Sequence, residues 1–408
     1  MKETPAQNFG RAGSIEITIL FTAFIAATYG FGIYLFASLI PEMRTEIGLD
    51  YAAVGLMTAA AQGGFLVFAL ISGLFASVIG ARKAITFSVF LCAACLVLMP
   101  FAGSSLIVAV LLALMAAAAA SVWIPMVAVC KELIPAKHQG KAFGLISSGT
   151  AYGVFINGLA VPLLMPSYGW KSIWLVLGLA TLGLALWAML RIGLRDQPAQ
   201  SVTPVKPMIF ASRLRVLGRP EALAILLMMF LNGLSCMPAQ NYLSAMMREE
   251  LGYSVGSAAL AWSIIGFVGM FSGLAIGALA DRISIRWAMV VTYTLLCISA
   301  AFFLNHASLV VIYAGAVAFG LAFYAIFGLV PAYTSIIFSQ EEATSVFGIG
   351  NVLLGLGGMA GNYFAGLSRE YTGSFETTYW IVLAAAIATL VLSLVMRNER
   401  SLNKLRAI

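Results

Sequence analysis

Charged side chains are scarce in this chain. Asp, Glu, Lys and Arg make up 10% of its residues, against about 25% in soluble domains, which disfavours a soluble fold. Histidine occurs only at His138 and His306, both in predicted loops. Neither a Ser–His pair nor a histidine metal cluster can therefore be assembled at depth. The five cysteines are odd in number and lack metal-ligand spacing, so they read as small packing residues. No nucleotide-binding motif is present, which disfavours ATP-driven pumping. Neither enzymatic activity nor a cofactor or metal is expected.

Apolar residues dominate instead, at 62% of the 408. They form blocks long enough to cross about 30 Å of hydrocarbon as helices. The blocks do not alternate polar with apolar, as β-barrel strands would. Twelve spans are predicted, over 16–40, 52–76, 84–101, 106–131, 141–165, 171–192, 221–245, 256–280, 287–305, 309–336, 345–367 and 378–396. The first is too long for a signal-peptide core and is expected to be retained. A net charge of +7 would suggest nucleic acid in a soluble protein, but its placement gives another reason. Assigned to alternate sides of twelve spans, 19 of the 23 Lys and Arg residues share one side. Only Arg44, Lys171, Arg248 and Arg369 take the other. Cytoplasmic loops collect positive charge, so both termini are expected in the cytoplasm, with the chain in the cell (inner) membrane. Its partners are expected to be lipid and a small-molecule substrate, with no nucleic acid, and the protein is expected to be a monomer.

Displaced by 204 residues, the sequence overlays on itself. "RTEIGLD" at 44–50 meets "REELGYS" at 248–254, "GLFASVIGAR" at 73–82 meets "GALADRISIR" at 277–286, and "AFGL" at 142–145 meets "VFGI" at 346–349. Solenoid repeats would be shorter and more numerous. Two six-helix halves, 1–192 and 221–408, fit better, joined by a Pro-rich basic linker at 193–220. With Gly277, Leu279, Ala280, Asp281 and Arg282 after an even-numbered span, the chain resembles the major facilitator superfamily over nearly its whole length. The family's loop motif, Gly-x-x-x-Asp-Arg-x-Gly-Arg-Arg, is partly lost here. Ser284 and Ile285 replace its later glycine and arginine, while Arg286 remains. The N-terminal copy keeps Gly73, Gly80 and Arg82 but has Ser77 and Val78 for Asp and Arg.

The resemblance implies twelve helices in two pseudo-symmetric bundles and transport by alternating access. It also implies that the loop Asp meets a helix start of the opposite half when the cytoplasmic side is shut. Such a start carries partial positive charge and free N–H groups. Asp281, with Arg282 beside it, should then approach Lys137 and Lys141 at the start of span five. With signs exchanged, Arg82 and Lys83 should face Glu341 and Glu342 at the start of span eleven.

No Asp, Glu, Lys, Arg or His falls mid-span. A mid-membrane charge costs about 2.5–3.5 kcal/mol and persists mainly where function needs it. A multiply charged anion would want an Arg or Lys partner, so it is disfavoured as substrate. Candidate binding groups are neutral. The resemblance implies that spans one, four, seven and ten line the cavity, which brings in Tyr29 and Tyr34, Trp123, the one-face series Asn232, Cys236 and Gln240, and Tyr324 with Phe327. Gln62, Tyr152, Asn157 and Asn351 add amides and a ring from spans two, five and eleven. Each equally suits helix–helix packing, as do the glycine series 269/273/277, 149/153 and 357/361. Pro125 and Pro331 can kink spans four and ten.

The leading reading is a secondary transporter for a small, weakly charged organic molecule, monocarboxylate-like or amphipathic. Efflux of hydrophobic compounds is the alternative. A channel would more naturally show a repeated polar ring, which is not seen. With no carboxylate at depth, a weak organic acid could bring its own proton. Asp281→Lys is expected to shift the protein towards the inward-open state. Faster thiol labelling of cysteines placed in the cytoplasmic cavity would show it; unchanged labelling would count against the contact.

Overall fold

The computed structural model describes residues 11–192, 216–306 and 308–399; the linker stretch 193–215 and the side chain of Lys137 lie outside them. Among the described residues, eleven helices are long and apolar enough to cross a membrane. One runs from Lys141 to Leu190 over 50 residues. As a straight helix it would extend about 75 Å, more than twice a bilayer core. Gly169, at φ 74° and ψ 172°, breaks it, and the division yields twelve spans.

Span one is composite: Arg11–Ile25, a π-helical segment Ala26–Tyr34, and Leu35–Ile47. Spans two to four are Tyr51–Ile79, Ala81–Leu98 and Ser105–Leu133. Span five comprises Ala136–Ser147 and 149–168, and span six 170–192. Span seven is Pro220–Ala245, extended by a π turn Met246–Glu250. Spans eight to twelve are Val255–Ile283, Ile285–Asn305, Leu309–Ile337, Gln340–Thr372 and Glu376–Val395. Spans one and eleven overrun their predicted limits because polar caps, not apolar runs, end them. Gly48 closes span one in the left-handed conformation. Ser339 opens span eleven with a capping box and Gly373 closes it.

The 204-residue repeat reappears in three dimensions. Ser104 and Ser308 each cap a span by accepting from the N–H three residues on. Asp50 and Ser254 do likewise. The turn into span three uses Gly80 at φ 96°, and its counterpart into span nine is Ser284 at φ 151°. Packing repeats as well. A Cβ added to Gly153 of span five would sit 2.3 Å from the Ala26 carbonyl of span one; one added to Gly357 of span eleven would sit 2.0 Å from that of Phe230 in span seven. Lipid supplies no hydrophobic drive between helices, so close backbone approach at small residues must hold them.

The two halves, spans one to six and seven to twelve, meet through span five against eight and span two against eleven. Gly158 faces Ala259 and Ser263, Gly266 faces Ala151 and Phe155, Gly55 faces Asn362 and Gly366, and Gly355 faces Leu66. These contacts run from the end away from the chain termini to mid-span. Towards the termini, Gly144, Gly273, Gly277 and Gly348 face open space. Of the glycines expected to pack in span eight, only Gly269 does, under the Tyr324 ring. The halves thus converge at the far end and diverge at the end bearing the termini.

Charge follows the same division. At the far end all four basic residues are paired. Arg44 meets Glu249 across the halves at 3.1 Å, and Tyr51 donates to that carboxylate at 2.9 Å. Arg248 meets Glu42, also across the halves, with Nη1 at 2.8 Å. Lys171 meets Glu46 at 2.5 Å and Arg369 meets Glu250 at 3.6 Å, each within one half. The Arg44 and Arg369 guanidiniums lie 5.0 and 5.6 Å from the Tyr51 ring centroid. Glu370 of span eleven accepts from the Tyr51 N–H at 2.9 Å, closing another cross-half link. At the termini end the pairs Arg82–Glu132, Arg219–Glu342 and Arg397–Glu221 each stay within one half.

Two tests follow from this architecture. Gly153→Ala should lower the thermal midpoint in detergent by an overpacking cost of about 1–3 kcal/mol, whereas Gly183→Ala, with nothing within 4 Å of its Cβ, should be neutral or better. Arg248→Glu should open the far end, increasing labelling of far-end cysteines by a membrane-impermeant thiol reagent about tenfold, for a half-buried pair contributing about 1–2 kcal/mol. Glu42→Arg in the same molecule should reverse it; an unreversed double variant would remove the pair's role.

Candidate functional site

Where the halves meet, span one is unusual. Its π-helical segment carries Tyr29 and ends on Tyr34, and π turns inside helices gather at functional sites. Tyr29 is half-buried and sets its ring edge-on to Phe65 of span two at 5.9 Å. Tyr34 is buried and meets Phe323 of span ten edge-on at 6.3 Å. Phe323 in turn contacts Tyr324 and Phe327 at 5.0 and 5.2 Å. A run of rings thereby bridges the two halves.

Two pockets flank these rings. The first lies between the halves, lined by Tyr34 and Phe36 of span one, Thr58, Gln62 and Phe65 of span two, Met237 and Asn241 of span seven, and Asn362 of span eleven, among others. The second lies in the C-terminal half, where Asn232, Phe327, Pro331 and Asn351 come together. Among the described residues, no carboxylate, lysine, arginine or histidine lines either one. Such walls suit a solute offering apolar surface and a few hydrogen-bonding groups.

The predicted candidates separate into groups. Tyr34 and Gln62 reach the first pocket; Asn232, Phe327 and Asn351 reach the second. Tyr324 has a buried hydroxyl without a partner and shares the Phe323 ring with Tyr34, and Cys236 is buried on span seven. Gln240 is 1% exposed, and neither its amide nitrogen nor its oxygen has a partner. Asn157 and Asn232 also hold helices together: Asn157 donates to the Gly30 carbonyl at 2.7 Å and Asn232 to the Tyr293 hydroxyl at 3.1 Å. Each keeps an unpartnered amide oxygen. Trp123 packs against the apolar core of the N-terminal half, and Tyr152 is half-buried on span five; neither lines either of these two pockets.

At the termini end, two of the residues expected to reach across when that end is shut have partners within their own half. Arg82 binds Glu132 at 2.6 Å, and Glu342 binds Arg219 at 3.1 Å. Lys83, Lys141 and Glu341 are exposed. The physical reason is the divergence of the halves at this end. Asp281 and Arg282 stand at the end of span eight, as expected.

Sequence reasoning missed several residues. Asn241 donates to Asn362 at 3.0 Å, and Tyr242 donates to the Asn362 carbonyl at 3.0 Å. The far-end pairs of Arg44 and Arg248 were also missed. Their partners lie 120 to 206 positions away in the chain. The one available signal was the clustering of Glu42, Glu46, Glu249 and Glu250 beside rare far-side cations.

Comparison with known proteins agrees with this architecture. The chain is 24% identical to a gallate transporter of Pseudomonas putida, over 92% of this chain and 89% of that one. Its fold resembles the crystal structure of the nucleoside transporter NupG, with a TM-score of 0.77 at 12% identity, covering 94% of this chain and 99% of that one. It also resembles a bacterial homologue of the human lysosomal transporter Spinster in an inward-facing, unoccupied conformation, with a TM-score of 0.68 at 17% identity, covering 95% and 96%. The family model of the Major Facilitator Superfamily matches residues 22–362 and 225–406. This twelve-helix, multi-pass membrane protein belongs to that superfamily of transporters.

Proposed function

We propose that this protein is a secondary transporter that carries a small organic molecule of low net charge, monocarboxylate-like or amphipathic, by rocking its two halves about the central pocket. One observation carries the reading: among the described residues, the pockets are lined by rings, amides and aliphatic groups and by no ionic side chain. A dicarboxylate or a phosphate would enter such a site without a counter-charge. Gallate, named for the Pseudomonas relative, is an aromatic monocarboxylate and belongs to the class such walls accommodate. The cation-rich end then faces the cytoplasm of the cell (inner) membrane, with both termini there and 193–220 linking the halves. In this orientation the described conformation opens inward. When it closes, Asp281 and Arg282 approach the start of span five and Arg82 with Lys83 approaches that of span eleven. The protein is proposed to act as a monomer.

Uptake into vesicles reconstituted with the protein tests this. Aromatic monocarboxylates should be taken up saturably, while phosphate and dicarboxylates should not. Tyr34→Ala should raise the half-saturating concentration about tenfold, since an aromatic contact contributes about 0.5–1.5 kcal/mol. Saturable uptake of phosphate would overturn the reading. Export of lipophilic compounds without monocarboxylate uptake would favour hydrophobic efflux instead.

A further inference from the structure

The 204-residue repeat sets the second pocket apart. Phe327 and Phe347 in its wall correspond to Trp123 and Phe143, which pack against the apolar core of the N-terminal half. Its two amides, Asn232 and Asn351, correspond to Thr28 and Ser147. Thr28 is satisfied within its own helix, donating to the Phe24 carbonyl at 2.7 Å. The C-terminal half therefore has rings and amides lining a pocket where the N-terminal half has core packing and a self-contained hydroxyl. The scaffold does not demand that exchange, since the N-terminal half packs without it.

Neither amide is fully used. Asn351 is exposed on span eleven and donates through its nitrogen to the Phe347 carbonyl at 3.0 Å. A carbonyl can only accept, so this bond fixes which way the amide points. Among the described residues no donor meets its oxygen. Asn232 is 2% exposed; its nitrogen donates to the Tyr293 hydroxyl at 3.1 Å, and its oxygen has no partner. Turned end for end, this amide would accept from the Tyr293 hydroxyl and leave its nitrogen unpartnered instead. One of its two functions is left over in either case, at the cost that attends a buried, unmet polar atom.

The complement is a group that donates to Asn351 and can either donate to Asn232 or accept from it. A hydroxyl does both. An ether oxygen or a carboxylate only accepts, and would meet the Asn351 oxygen with no proton between them. A carboxylate or an ammonium would also find no counter-charge among the lining residues. Phe327, 45% exposed, and Phe347 place aromatic surface beside the two amides, which suits a hydroxyl carried on a ring. Rings also lead there from the first pocket: Tyr34 meets Phe323 at 6.3 Å, and Phe323 meets Phe327 at 5.2 Å. Asn232 precedes Asn241 of the first pocket by nine residues on span seven, which puts it about 13 Å along the helix towards the termini end.

We propose that the second pocket is a solute station in its own right, nearer the termini end, where Asn351 and Asn232 select a ring hydroxyl. The cargo is then a hydroxylated aromatic acid. This rests on the monocarboxylate reading proposed above, and it adds a second recognition element to the solute.

Uptake of 4-hydroxybenzoate, 4-methoxybenzoate and benzoate into vesicles reconstituted with the protein tests the proposal. The three share ring and carboxyl group and differ in the hydrogen-bond donor. Half-saturation for 4-hydroxybenzoate should lie about tenfold below that for the other two, as for a site built to hydrogen-bond an O–H. Asn351→Leu should bring that ratio down to about one, because the fixed acceptor is gone. Tyr34→Ala, which alters the first pocket, should raise half-saturation for all three alike and keep the ratio. A purely structural role for Asn351 would lower uptake of all three and leave the ratio where it was. The wild-type ratio stands as a test even if Asn351→Leu fails to fold. Equal half-saturation for the hydroxy and methoxy acids in the wild type, or a preference that survives Asn351→Leu, would overturn the hydroxyl station while leaving the monocarboxylate reading intact. Absence of uptake for all three would overturn both.

Discussion

Hydrocarbon can neither solvate a charge nor satisfy an unpaired peptide group. That prohibition organises this molecule from the middle outwards. With the interior of the bundle kept neutral, ionic groups collect at its two ends, and the two ends use them differently. At the far end, four cations meet four acids. The pairs of Lys171 and Arg369 fasten helix ends within a half, while those of Arg44 and Arg248 tie the halves together. At the termini end the pairs of Arg82, Arg219 and Arg397 remain within their own halves. The far end is thus tied across the halves by the interaction that the middle cannot contain, whereas the ion pairs described at the termini end lie within single halves.

The surfaces that slide must be made of something else. Where the halves touch along their length, they do so through glycine, alanine and serine: Gly158 on Ala259 and Ser263, Gly55 on Gly366. The two-fold relation maps the first contact onto the same region as the second. Small residues permit backbone contact without interlocking side chains. Within a half, by contrast, the joints are locked. Gly153 and Gly357 admit a neighbouring carbonyl where no Cβ fits, and Asn157 adds a hydrogen bond to the Gly30 carbonyl. Rigid halves joined by a smooth seam are what rigid-body rocking requires.

The bilayer's rules are local and periodic, which is why so much of this fold was legible. Span length and cation asymmetry gave twelve helices, and the offset of 204 residues located partners such as Ser104 with Ser308. What was illegible depends on side chains meeting across the folded chain. Nothing near Arg44 in sequence announces Glu249, and nothing near Asn241 announces Asn362. The glycine series of span eight was ambiguous for a related reason. Gly269 packs and Gly273 does not, and spacing alone cannot separate a contact from a surface exposed by the divergence of the halves. Half of the site was readable as chemistry, since neutral polar groups at mid-span are few. Its geometry was not, and so Trp123 and Tyr152 stood beside Tyr34 and Gln62 as equals.

Symmetric scaffolds need not carry symmetric chemistry. Thr28, Gly32, Phe36 and Ala37 of span one occupy the places that Asn232, Cys236, Gln240 and Asn241 take in span seven. Thr28 spends its hydroxyl on its own helix, donating to the Phe24 carbonyl at 2.7 Å. Span one lends the pocket between the halves Ile33, Tyr34 and Phe36, while span seven lends it Met237 and the amide of Asn241. At the proposed site, a solute lying between the two would meet apolar surface on one side and hydrogen-bonding groups on the other, and would be oriented by the difference. Transport by rocking needs equivalent helices so that both faces can close. Recognition needs them to be unlike. In the proposed cycle both requirements are met by backbone contacts that recur across the repeat, Gly153 on Ala26 and Gly357 on Phe230, while the side chains of the two central helices diverge.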